Sequence, residues 1–140
     1  MTESFGEAMK EIVIIAGNDT GALAKVAEVV GDAGANIEAI SAYGSEGKAI
    51  FRIITSDPST AAKALSRLPG IEVREAEIVL YKMINRPGEL GKVTKKLATG
   101  GISLESVYIV SRKQDFTEIA IRPAEKDLNK AFTLLGLDHK

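Results

Sequence analysis

The chain has no cysteine and no tryptophan. Without cysteine there can be no disulfide framework, no thiolate metal site and no thiol nucleophile. The one histidine, His139, stands in a polar stretch at the end of the chain, which argues against an imidazole base or a histidine metal centre. Aromatic residues are 5% of the sequence, and Phe51 and Tyr108 are isolated, so the stacked face by which sheet modules read RNA is not expected. Neither sign of charge dominates: 18 Lys+Arg stand against 19 Asp+Glu, which leaves no basic field for nucleic acid or an anionic membrane. No apolar run is long enough to span a bilayer, and nothing reads as a signal peptide. The expected setting is the cytoplasm.

What the chain does have is a repeat. Asn18-Asp19-Thr20-Gly21-Ala22-Leu23-Ala24-Lys25-Val26 returns as Asn85-Arg86-Pro87-Gly88-Glu89-Leu90-Gly91-Lys92-Val93. The match runs on without a gap to Gly34/Gly101, Ile37/Leu104 and Glu38/Glu105. A fixed offset means one supersecondary unit used twice. The 140 residues then divide into a tail at 1–10 and two half-size units at 11–75 and 76–140. Each alone would bury little surface, so each is expected to pack on the other or on a partner chain.

The period of the apolar residues gives the elements. Ile12-Val13-Ile14-Ile15 is a β-branched run and predicts a strand over 11–17. Asp19 is placed to cap the helix after it. Leu23, Val26, Ala27 and Val30 make one apolar stripe, and Gly34 suits the left-handed stop. Strands are expected over 36–43 and 49–55. Asp57-Pro58 opens a second helix, with Asp as cap and Pro in its first turn. A short strand over 71–74 closes the unit. The order β-α-β-β-α-β is that of a ferredoxin-like split unit with an antiparallel sheet, an α+β fold.

The second unit repeats the order. Its strands are expected at 78–84, 102–111 and 116–122. One helix starts at Pro87, with Leu90, Val93, Thr94 and Leu97 as its stripe, and another spans 123–135. Residues 136–140 are too short and polar for a fourth strand, so that edge is either missing or borrowed. Residues 1–10, the stretch 71–84 and another subunit are the candidates to fill it. Ile12/Val13, Ile53/Ile54 and Ile78/Val79 put bulk on both sheet faces, so the face away from the helices should also be covered.

The turn Asn85-Arg86-Pro87-Gly88-Glu89-Leu90 and the later Gly34-Ala35-Asn36-Ile37 resemble the ACT domain, one close match in each copy. The resemblance covers roughly residues 11–135. It departs from the family pattern at Thr20, where the family prefers Pro, and at Ser103, which stands where the first copy has Asn36. The resemblance implies regulatory binding of small metabolites, most often amino acids, at the interface between paired units near the first turn. It also implies a homodimer or higher homo-oligomer, and an enzyme of amino-acid metabolism as a possible partner.

The residues themselves support such a site. Gly21 and Gly88 let a ligand approach the backbone closely. The N–H groups of Ala22 and Leu23, or of Glu89 and Leu90, lie at the start of a helix and can donate to a carboxylate. The side-chain oxygens of Asn18, Asn85, Asn36 and Ser103 can accept from an ammonium, and Asp19 either joins them or caps the helix. The candidate ligand-binding set is completed by Thr20, Ile37, Arg86, Pro87 and Leu104. Leu23 and Leu90 are read as core residues first. Gly34 and Gly101 are read as helix stops.

No nucleophile stands beside a base, and the acidic groups Glu28-Asp32 and Glu72-Glu75-Glu77 read as solvated faces. No enzyme, metal or cofactor is expected. The main reading is a small-molecule-binding regulatory module. Its alternative is a ligand-free dimerisation or docking subunit that controls a separate enzyme.

Overall fold

The structure is a computed structural model that describes residues 8–137. Among these, six strands and four helices run in the order β1 (Ala8–Gly17), α1 (Ala22–Asp32), β2 (Ile37–Ser45), β3 (Lys48–Thr55), α2 (Pro58–Leu65), β4 (Glu72–Ile84), α3 (Glu89–Thr99), β5 (Leu104–Arg112), β6 (Phe116–Pro123) and α4 (Leu128–Leu134). The chain forms two compact units. One is Lys10–Ala76; the other is Glu77 onward together with the first described residues of β1.

In the Lys10–Ala76 unit the strand order is β2-β3-β1-β4, the ferredoxin-like arrangement. β3 pairs antiparallel with both β1 and β2, with Ile12 opposite Ile53 and Tyr43 opposite Ile50. The β2–β3 hairpin turns on Glu46 and Gly47. Both have positive φ, at 51° and 78°, the sense that matches strand twist in a two-residue loop. The core gathers Ile12, Ile14, Phe51 and Ile53 from the sheet with Val26, Val30 and Leu65 from the helices. α1 therefore buries only part of its expected stripe. Val26 and Val30 are inside, whereas Leu23 and Ala27 are exposed. α2 starts as the sequence predicts, with Asp57 accepting from the Thr60 N–H at 3.1 Å and Pro58 in its first turn.

Several boundaries move. β1 begins by Ala8, so the last three residues of the expected tail are strand; residues 1–7 of that tail lie outside the described residues. The two short strands expected at 71–74 and 78–84 are one strand, β4, of 13 residues. Nothing between Arg74 and Ile78 bends the chain, because Glu75, Ala76 and Glu77 carry no turn residue. The helix expected over 123–135 begins with a 3-10 turn at Glu125–Asp127, and only Leu128–Leu134 is α-helical.

In the other unit the order is β4-β6-β5, again antiparallel, with Val79 opposite Ile121 and Ile109 opposite Ile119. Its core joins Val79, Ile119 and Ile121 to Val93, Leu97, Phe132 and Leu135. Leu137 is also buried there, and residues 138–140, with His139, lie outside the described residues. The open edge of β4 has β1 as its neighbour, and Ala8 and Met9 of β1 group with this unit.

The same irregularity appears in each copy. The β2–β3 register slips between Ile37 and Ala39, and the β5–β6 register slips between Leu104 and Ser106. The extra residue is Glu38 in one and Glu105 in the other, the glutamate that the repeat preserves. The second hairpin has one further slip, between Ile109 and Ser111.

Candidate functional site

The first bend joins Gly17 at the end of β1 to Ala22 at the start of α1. It is held by its own backbone: Asp19 N–H donates to the Gly17 carbonyl at 2.9 Å, and Ala22 N–H to the Asp19 carbonyl at 3.1 Å. Gly21 adopts φ 91° as the residue before the helix, a conformation that disfavours any side chain. No side chain caps α1, so Asp19 is not the N-cap that its position suggests. Its carboxylate instead leans over Gly17, where an added Cβ would lie 3.2 Å from Asp19 Oδ2. The Ala22 amide is used by the turn, which removes it from the candidate donors. The N–H groups of Leu23 and Ala24 have no acceptor among the described residues.

Two open clefts flank this bend and share Asp19, Gly21 and Ala22 as a common wall. One, of about 570 Å³, continues past Asn18 to Leu23, Tyr43 and Phe51. The other, of about 490 Å³, continues to Lys25, Val26, Leu68 and Ile71. Leu23 is 40% exposed, so it walls a cleft instead of filling the core. Asn18 sits close to β2: its amide nitrogen would lie 3.5 Å from a Cβ placed on Gly44. Thr20 is exposed at the crest of the bend and lines the second cleft.

The second bend has the same backbone and different side chains. Gly88 has φ 89° and precedes α3, so Pro87 lies in the turn and not in the helix as expected. Glu89 N–H donates to the Arg86 carbonyl at 3.3 Å, which takes this amide too from the candidate donors. Asn85 is tied to the β5–β6 turn: its side-chain amide donates to the Lys113 carbonyl at 2.8 Å, and its own N–H to the Asp115 carbonyl. Arg86 Nε donates to Glu89 Oε2 at 2.8 Å, and Lys92 Nζ donates to the same oxygen at 3.2 Å. The Glu89 side chain is only 12% exposed. The hydrogen bond from Arg86, then that from Lys92, hold its carboxyl below the usual glutamate range. Leu90, like Leu23, is half exposed.

Asn36, Ile37, Ser103 and Leu104 are not brought to the bends of their own units. Ile37 pairs with Thr55, whereas Gly17 pairs with Lys48 at the other end of β3. Leu104 pairs with Pro123, and Ile84 with Phe116. An 11-residue helix, about 16 Å long, separates the bend from Asn36. Asn36 exchanges bonds with Ser56, and the Ser103 carbonyl accepts from Ala124 N–H. The clefts add Lys25, Tyr43, Phe51, Leu68 and Ile71 to the candidate residues. Lys25 was within reach, since it is one of the residues repeated identically. The others come from strands and loops that only folding brings near.

No group of acidic or histidine side chains among the described residues could hold a metal ion, and no described helix is long and apolar enough to cross a membrane. The Lys10–Ala76 unit is thus ferredoxin-like, with open clefts on both sides of its first turn. Residues 10–68 match the model of the ACT domain family. Among solved structures, protein BT0572 from Bacteroides thetaiotaomicron is 29% identical, with a TM-score of 0.81 over 94% of this chain and 88% of that one. The regulatory subunit of aspartate kinase from Thermus thermophilus has a TM-score of 0.70 at 15% identity, over 96% of this chain and 95% of that one. Aspartate kinase from Clostridium acetobutylicum has a TM-score of 0.59 at 13% identity, over 94% of this chain but 32% of its own. The two kinase likenesses show the fold alone. No curated protein matches the chain.

Proposed function

We propose that this chain is a non-enzymatic regulatory module that binds a free amino acid, and that residues 11–75 and 76–140 are two ACT units. The observation that carries the reading is the first bend, which two clefts flank and where the amides of Leu23 and Ala24 have no acceptor among the described residues. The backbone there is preset by Gly21, so holding a carboxylate requires no rearrangement. In this reading the ligand sits where units of two chains pair, and binding and pairing strengthen each other. The named regulatory subunit with the same fold is consistent with control of an enzyme of amino-acid metabolism in the cytoplasm.

A thermal-shift screen of the purified chain against the twenty amino acids tests this. A ligand at a hundred times its dissociation constant stabilises by about 2.7 kcal/mol, so a binder raises the melting temperature by several degrees. No response at millimolar concentration to any of them rejects the reading.

One observation favours the alternative, a docking or dimerisation subunit. Each unit ends in an edge strand with an exposed isoleucine: Ile40 on β2 at 44% and Ile109 on β5 at 59%. An exposed apolar edge is a pairing surface unless it is covered. Ile40→Lys and Ile109→Lys variants that turn an assembled chain into a monomer, in a protein deaf to all twenty amino acids, would establish the alternative.

A further inference from the structure

The two bends share a backbone but differ in charge. In the second, a carboxylate lies between two cations: Arg86, Glu89 and Lys92 form one cluster. The repeat assigns the corresponding places in the first bend to Asp19, Ala22 and Lys25. There the central carboxylate is missing, and the first cation has become an anion. The lysine is kept. Asp19 and Lys25 make no ion pair with any described residue.

The space matches the charges. Ala22 carries a methyl group where Glu89 carries a full side chain, and the cleft of about 490 Å³ opens beside it. That volume lies in the range of small-molecule sites. Among the described residues, Asp19 and Lys25 are the only charged ones that line it. Its apolar walls include Val26, Leu68 and Ile71, and among the described residues no third charge lines it to meet a charged side chain. A buried or half-buried charge on the ligand without a partner would be costly there.

Resting on the amino-acid reading above, we propose that the first unit holds the chain's single receptor, and that its ligand is an α-amino acid with an apolar side chain. The ligand carboxylate takes the place of the Glu89 carboxylate and is held by Lys25. The ligand ammonium lies on Asp19, where the second bend has Arg86. The ligand side chain packs on Val26, Leu68 and Ile71. The second unit carries its own carboxylate in the equivalent place and is filled permanently.

Isothermal titration calorimetry of the full chain tests this, with L-leucine, L-isoleucine, L-valine, L-methionine and L-phenylalanine against L-lysine and L-aspartate. The expected result is one molecule per chain for an apolar amino acid, and none for the charged pair. The half-ligands 4-methylpentanoate and isoamylamine should bind at least about tenfold more weakly than L-leucine, since each loses a charge-assisted contact. Asp19→Asn and Lys25→Gln should each weaken binding by about tenfold or more. Ala22→Glu should abolish it while an unliganded thermal melt shows the chain still folded. Two molecules per chain, a preference for L-lysine or L-aspartate, or an affinity indifferent to all three variants would overturn the proposal and leave the amino-acid reading standing. Silence toward all twenty amino acids would remove both.

Discussion

Arg86 and Glu89 lie three residues apart across the second bend, and the guanidinium Nε reaches the carboxylate at 2.8 Å. The pair uses the exposed arginine to keep a mostly buried glutamate ionised, and Lys92 adds a second donor. Since the folded-state carboxyl titrates below the ordinary value of 4.5, Glu89 adds stability that is fully present above the unfolded pKa. That stability is lost as the pH falls through the folded value.

It follows that Glu89→Gln narrows the difference in stability between neutral and acid conditions. Urea unfolding of both proteins at pH 7 and at about pH 3 should show the variant weaker at the higher pH and the two converging at the lower. Parallel curves at both pH values would mean that the ion pair contributes nothing.

Arg52 anchors a second network, on the first unit's sheet. Its Nη1 donates to Glu11 Oε1 at 3.1 Å, and its Nε to the Tyr43 hydroxyl at 3.1 Å. Burial opposes the charge of Arg52, but Tyr43 and Glu11 outweigh it and raise its pKa. Glu11 has no exposed surface. Arg52→Ala should therefore cost about 2 kcal/mol by removing a charge-assisted hydrogen bond from a buried carboxylate. Tyr43→Phe, at a ring 42% exposed, should cost about 0.5 kcal/mol. Guanidinium denaturation of both variants checks the order, and equal losses would contradict it.

Two glycines near the end of α1 should respond in opposite directions. Gly31 lies inside the helix, and a methyl group there meets nothing within 4 Å. Gly31→Ala should stabilise by about 0.5–1 kcal/mol through helix propensity and a less free unfolded chain. Gly34 has equal room but φ 90°. It closes the helix, with its N–H on the Gly31 carbonyl and that of Ala35 on the Val30 carbonyl. Gly34→Ala should cost about 1–2 kcal/mol from conformation alone. Melting temperatures that move together would refute this account.

Asp57 accepts from both the N–H and the hydroxyl of Thr60, at 3.1 and 2.8 Å. Asp57→Ala should lower stability by about 1 kcal/mol, whereas Asp57→Asn keeps an acceptor and should lose less. A thermal melt of the pair distinguishes capping from charge.

Much of this fold is legible in the residues. The β-branched run Ile12–Ile15, the Asp57-Pro58 start and the Gly34 stop each have a local physical cause, and each lies where the sequence places it. What fails is where a local signal has two outcomes. Asp19 has the chemistry of a cap, but Gly21 takes the left-handed turn and moves the helix start beyond the carboxylate's reach. Leu23 and Leu90 fit a helical stripe, yet both stand partly exposed at its first turn. The charge cluster around Glu89 could have been read from the spacing of Arg86, Glu89 and Lys92, which helical geometry brings together. The cleft walls at Leu68 and Ile71 carry no such mark, since their position beside Lys25 depends on how α2 packs.

The slips at Glu38 and Glu105 bear on ancestry. A strand irregularity is difficult to acquire twice at matching sites, because inserting one residue turns every later side chain to the opposite face. A matching kink in both copies is what one supersecondary unit used twice would carry. The bends differ in charge, yet both outer ribbons keep that crease.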